Sequence, residues 1–116
     1  MEHLPQTARE IVLGLKERFR PEKCEPDTDM TFHLDFSGDT GGLFTVAVKD
    51  LECTVSEGHV GESTCTISAK SSDYEDIELG RVNPQMAFMM GKIKATNVMA
   101  LMQFITFFRK LVKPAL

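Results

Sequence analysis

Residues 83–97 read Asn83-Pro84-Gln85-Met86-Ala87-Phe88-Met89-Met90-Gly91-Lys92-Ile93-Lys94-Ala95-Thr96-Asn97, and the local rule changes twice within them. Asn83 is a good N-cap, and Pro84 suits the first helical position, where a missing N–H is no loss. Gly91 stops the helix so begun. Residues 92–96 then alternate, Ile93 and Ala95 against Lys92 and Lys94, which predicts a short late strand. Asn97 can cap a final helix running to about residue 112, with Pro114 just beyond it.

Four further strands lie upstream for that late one to join. Residues 29–36 alternate with Met30, Phe32, Leu34 and Phe36 on one face and Thr31, His33 and Asp35 on the other, so His33 reads as a polar surface residue. Residues 43–49 align Phe44, Val46 and Val48. Residues 52–56 and 64–69 turn Cys53 and Val55, then Cys65, Ile67 and Ala69, inward. Joined by turns, the four are expected to form an antiparallel meander with one apolar face to cover. The glycine-rich turn at 37–42 lacks a phosphate-loop pattern and is followed by a strand. Two more helices are marked by capping boxes. Thr7 to Glu10 opens one over residues 8–19, with Ile11, Val12, Leu15 and Phe19 on one face. Ser72 to Glu75 opens a short one that Gly80 ends.

The final helix carries more apolar surface than a sheet can cover. Gln103, Thr106, Lys110 and Lys113 gather in a polar wedge of about 80°, and apolar side chains fill an arc of roughly 220°. A helix lying on a sheet needs about 100°. The excess must meet a second packed element, another subunit, a membrane or a ligand. The methionine-rich run 86–90 favours a ligand, since methionine adapts to variable apolar shapes. All 17 acids lie at or before Glu78, whereas residues 79–116 carry Arg81, Lys92, Lys94, Arg109, Lys110 and Lys113. Such a basic end could meet an anionic membrane surface. Arg109, Lys110 and Lys113 are equally explained as complements to a helix C-terminus.

The composition excludes several classes. At 116 residues with 42% hydrophobic content, the chain reads as one globular domain over 1–116. The N-terminus has no basic n-region or apolar h-region, and the longest apolar stretch is too short to span a bilayer. Three cysteines without a CxxC pair fit a reduced, cytoplasmic setting. The scattered histidines give no metal spacing, and no cofactor or nucleic-acid partner is expected. Asp73, Glu75, Asp76 and Glu78 read as a helix N-terminal cluster, and no GxSxG or cysteine signature is present, so no catalytic residue is named.

The stretch Cys65-Thr66-Ile67-Ser68, then Asp73-Tyr74, Leu79-Gly80, the block from Asn83 to Lys94, and Asn97 resembles the sterol carrier protein type 2 family. Val48-Lys49-Asp50 and Thr54 to Gly58 resemble its central hairpin, and the resemblance spans about residues 8–113. It implies an α+β fold: a five-stranded, mostly antiparallel sheet covered on one face by about four helices, with an apolar tunnel between. The implied ligands are fatty acids, fatty acyl-CoAs, sterols and phospholipids. Carried over by position, tunnel-lining candidates are Phe44, where the family often has Trp, with Gln85, Phe88, Met99 and Met102. Met89, Met90, Phe104 and Phe108 are added on residue type and helix position.

This chain departs from the family pattern in places. Asp50-Leu51 replaces Asp-Gly, so the hairpin there is not expected to be a tight type I′ turn. Met102 replaces a residue that is polar in some members, which implies a dry site. The final residues Lys113-Pro114-Ala115-Leu116 are not an SKL-like peroxisomal signal. A lipid carrier is the first expectation. The second is an accessory subunit presenting lipid to a protein partner, such as an isoprenoid-quinone-synthesising complex, through Phe107, Phe108, Arg109 and Lys110. The third is a ligand-free dimer.

Overall fold

The alternation of residues 29–36 builds the central strand of the sheet, β1 (Asp29–Ser37). A computed structural model describes residues 4–111 of the chain. Around β1 stand β2 (Gly42–Lys49), β3 (Glu52–Glu57), β4 (Cys65–Lys70) and β5 (Ile93–Ala95), in the order β3-β2-β1-β4-β5. The helices are α1 (Ala8–Leu13), α2 (Leu15–Arg18), α3 (Ser71–Glu78), α4 (Pro84–Met89) and α5 (Val98–Phe107), with a 3₁₀ turn at Pro21–Lys23. Phe32, Leu34, Phe44, Val46, Val48, Cys65 and Ile67 point to one face and are buried against Ile11, Val12, Leu15, Leu101 and Phe104. This is the expected α+β architecture. The single N-terminal helix of the expectation is α1 and α2, interrupted at Gly14.

The meander does not extend to β4. Strands β1, β2 and β3 pair antiparallel, but β4 lies parallel to β1, with Phe32 opposite Cys65 and Leu34 opposite Ile67. Alternation is blind to strand direction, so both arrangements put the same residues inward. Residues 58–64 make the crossover, although parallel strands usually need a dozen residues or more. The stagger explains the economy: β3 ends opposite the level of Leu34, and β4 starts at the level of Phe32. The connection therefore returns only two residues along the strand while crossing the outer face.

That crossing is held by outward-facing side chains. The Thr45 hydroxyl donates to the Gly58 carbonyl (2.7 Å) and accepts from the Val60 N–H (2.9 Å). His33 lies beneath the loop, its ring stacked on His59 at 4.4 Å between centroids. Its Nε2 is 3.1 Å from the Val60 carbonyl. His33 is thus a structural partner of the loop, which its polar-face position alone did not reveal.

Three other local expectations change. Residues 50–51 do form a tight two-residue hairpin, with φ of 55° at Asp50 and 62° at Leu51, because Val48 opposite Cys53 and Val46 opposite Val55 fix the register. Left-handed backbone costs a non-glycine residue about 1–2 kcal/mol. Leu51→Gly is therefore expected to stabilise the fold by about 1 kcal/mol in a urea melt. Secondly, α3 starts at Ser71 with no side-chain cap. Ser72, the expected cap, therefore lies inside the helix, and the Glu75 carboxylate accepts from the Ala8 N–H (2.7 Å) and the Thr40 hydroxyl (2.6 Å), so the Ser72–Glu75 capping box does not form. The Thr7–Glu10 box does form.

Thirdly, α5 ends at Phe107, not near residue 112. Phe108 turns extended and bridges to Phe19, their rings 5.9 Å apart. The Arg109 guanidinium consequently donates to the Glu17 carbonyl (2.6 Å) at the end of α2, while the Arg20 guanidinium donates to the Thr106 carbonyl (2.6 Å) at the end of α5. Each arginine caps the other helix. Lys113 lies outside the described residues.

Candidate functional site

The sheet face and the helices do not close on each other everywhere. Between them lies a cleft of about 840 Å³, within the size range of small-molecule sites. Its floor is Leu34, Phe36, Ile67 and Ile93 of the sheet, and its walls include Leu15, Ile77, Leu101, Phe104, Ile105 and Phe108. Phe104 sits edge-on to Phe32 at 4.8 Å and tilts against Phe108 at 5.1 Å. Aromatic and branched side chains locked in this way give the cleft a fixed apolar wall.

One end of the cleft is different. Where the C-terminal ends of α2, α3 and α5 converge, Arg18, Arg20, Arg109 and Lys110 line it, with Glu78 as the single carboxylate among the described residues. Converging helix C-termini favour cations. Arg18 pairs with Glu78 at 2.9 Å and donates to the Arg109 carbonyl (2.7 Å); the Tyr74 hydroxyl also donates to Glu78 (2.7 Å). Burial pushes the Tyr74 hydroxyl well above its ordinary range, and the Glu78 charge adds to this, so it remains a donor. Arg20 is less fully satisfied: its Nε–H is buried without a partner among the described residues. An unmet buried donor beside an apolar cavity is a place for an acceptor from outside the chain.

The residues expected at the site are divided by the structure. Phe104 and Phe108 line the cleft. Phe44 is fully buried in the core and outside the lining, as are the half-buried Phe88 and the exposed Gln85. Met89, Met90, Met99 and Met102 are exposed and also outside it. Phe107 and Phe108 are buried, so they offer no aromatic partner surface beside Arg109. The arginine end was not anticipated, because Arg18, Arg20 and Arg109 meet only through the Phe19–Phe108 bridge. Their clustering at helix ends was the available signal.

Nothing nucleophilic stands out. Burial pushes the Cys53 thiol up to about 12, and burial with the nearby Glu22 charge raises that of Cys24. Among the described residues no group of histidine, cysteine or acidic side chains could hold a metal ion, and no helix is long and apolar enough to cross a membrane.

A five-stranded sheet covered by helices, with a largely apolar cleft between the layers, defines a small two-layer α+β domain with room for a ligand. Residues 15–109 match the SCP-2 sterol transfer family, and the chain belongs to that family. It is similar to human sterol carrier protein 2, with 34% identity over 67 residues, which are 58% of this chain and 12% of the human protein. Its fold is similar to part of the stereoselective inverting sec-alkylsulfatase from Pseudomonas sp. (TM-score 0.72, 17% identity, covering 86% of this chain and 16% of that one). It also resembles the whole of palmitated sterol carrier protein 2-like 2 from Aedes aegypti (TM-score 0.63, 18% identity, 86% and 94% coverage). The chain thus spans a small part of the human and bacterial proteins and nearly all of the mosquito one.

Proposed function

We propose that this chain is a carrier for single-chain lipids, fatty acids and their acyl esters first, and that it catalyses nothing itself. The observation that carries this reading is the form of the cleft: apolar along its length and cationic at one end. A carboxylate or phosphate placed against Arg20 and Lys110 would leave the acyl chain to run along Leu34, Phe104 and Ile105. Each methylene withdrawn from water contributes about 0.8 kcal/mol, so a loosely shaped wall suffices for tight and unselective binding. Phe104 and Phe108 are the ligand contacts kept from the sequence expectation. Family membership and the palmitated state of the mosquito protein support the same class of ligand. Sterols and phospholipids remain within the proposal, as does exchange of cargo at an anionic membrane surface.

Native mass spectrometry of freshly purified protein, with solvent extraction of whatever is bound, tests it. A fatty acid or acyl ester released in stoichiometric amount supports the carrier. An empty protein that also fails to take up a fluorescent fatty acid overturns it. A stoichiometric protein partner recovered with the lipid moves the assignment to an accessory, lipid-presenting subunit. Ile105→Glu places a charge in the cleft wall at a position still 43% exposed, so the fold should tolerate it. Retention of bound lipid is expected to disappear in this variant, read by the same mass measurement.

A further inference from the structure

The exposed methionines are unexplained by the cleft. Met86, Met89 and Met90 on and just after α4, and Val98, Met99 and Met102 on α5, all stand in solvent, Met89 at 79% and Met99 at 76% exposure. On α5, Val98, Met102 and Ile105 form a stripe of about 60°, with the buried Ala100, Phe104 and Phe107 on the far side of the helix. The two helices flank β5, an edge strand of the sheet: α4 lies on β5, and α5 on β4 beside it. Six large apolar side chains exposed on two neighbouring helices, rather than scattered singly, point to a docking partner.

The charges along the same edge select the partner. Lys94 on β5, Lys92 just before it and Lys70 on β4 surround a shallow hollow on the outer side of this edge, and none of the three ammonium groups makes an ion pair or hydrogen bond among the described residues. Asp35 and Asp73 also line the hollow, but residues 79–111 contain no acid. Flexible thioethers beside unpaired lysines suit a surface that is apolar a few ångströms down and anionic at its top. We infer that the α4–β5–α5 edge docks on an anionic phospholipid bilayer, with the methionines and Val98 entering the acyl boundary and Lys92 and Lys94 meeting lipid phosphates. The inference rests on the carrier reading. Asn83, Pro84 and Ile105 of this edge also line the cleft, so docking brings the cleft wall to the bilayer.

The test is co-sedimentation with vesicles of phosphatidylcholine alone and of phosphatidylcholine with phosphatidylglycerol, paired with fatty-acid uptake from solution. The wild type is expected to bind the mixed vesicles, less so as salt is raised. Lys92→Gln with Lys94→Gln should weaken that binding on the order of 25-fold, about fivefold for each lysine. Met86→Glu with Val98→Glu should abolish it. Both acids fall in the first turn of a helix, where they support folding, so a misfolded variant is not expected. Uptake from solution should match the wild type in every variant. Wild type that ignores the mixed vesicles, or variants that bind as it does, would overturn the docking face. So would a dimer in solution that the Met86/Val98 variant converts to monomer without any vesicle binding, since the edge would then serve a second copy. Loss of uptake with vesicle binding intact would instead count against the carrier reading alone.

Discussion

Arg20→Met is expected to lower affinity for a long-chain fatty acid about tenfold to hundredfold while leaving the alcohol of the same chain length unchanged. A hydrogen bond to a charged group contributes roughly 1.5–3 kcal/mol, which sets that range. The prediction follows from the buried Nε–H, which has no partner among the described residues at the cationic end of the cleft. The comparison between acid and alcohol isolates the head group. Arg20 also caps α5 through the Thr106 carbonyl, so a purely structural loss would weaken both ligands equally. Parallel titrations with the two compounds by competition with a fluorescent fatty acid give the ratio directly. Equal losses would sink the assignment of Arg20 to the ligand.

The largest effect on stability is expected at Phe104. It is only 7% exposed, meets Phe32 edge-on and braces Phe108, which in turn bridges to Phe19. Truncation to alanine removes a large buried ring and leaves a void, a change that costs about 3–5 kcal/mol. Chemical denaturation of Phe104→Ala should show that loss, and the variant should also lose bound lipid because one wall of the cleft collapses. Phe104→Leu keeps most of the apolar volume and should recover most of the stability. A loss below about 1 kcal/mol for the alanine variant would mean that this wall is not packed as described.

Asn83 and Asn97 cap their helices through their own side chains, and Pro84 and Gly91 act through their own backbone, so the late helix, strand and helix were legible residue by residue. The inward faces of the strands were legible too, since a period of two needs no knowledge of neighbours. Strand direction was not. Nothing in residues 64–69 distinguishes a parallel from an antiparallel partner, and the decision lies with Thr45 on β2 and His33 on β1, which hold the crossing loop, His33 by stacking on its His59. The end of α5 was misread for a similar reason. Local periodicity continues past Phe107, but a backbone bridge to Phe19 outweighs it. The candidate site was legible as a property, an apolar surplus on the last helix, and less so as a set of residues. Phe104 and Phe108 face the cleft, whereas the methionines that suggested a ligand point into solvent.

The paired arginines at the ends of α2 and α5 bear on how the molecule comes together. Arg18 and Arg109 meet across a separation of 91 residues, so the wall they complete closes almost the largest loop that the chain can make. Closing a long loop is entropically costly and comes after local pairing has shortened the path between its ends. The cleft is therefore expected to be the last part of the molecule to acquire its shape, and it belongs to neither half of the chain. A fragment that keeps the whole sheet but loses either flank would have a core open on one side and no receptacle.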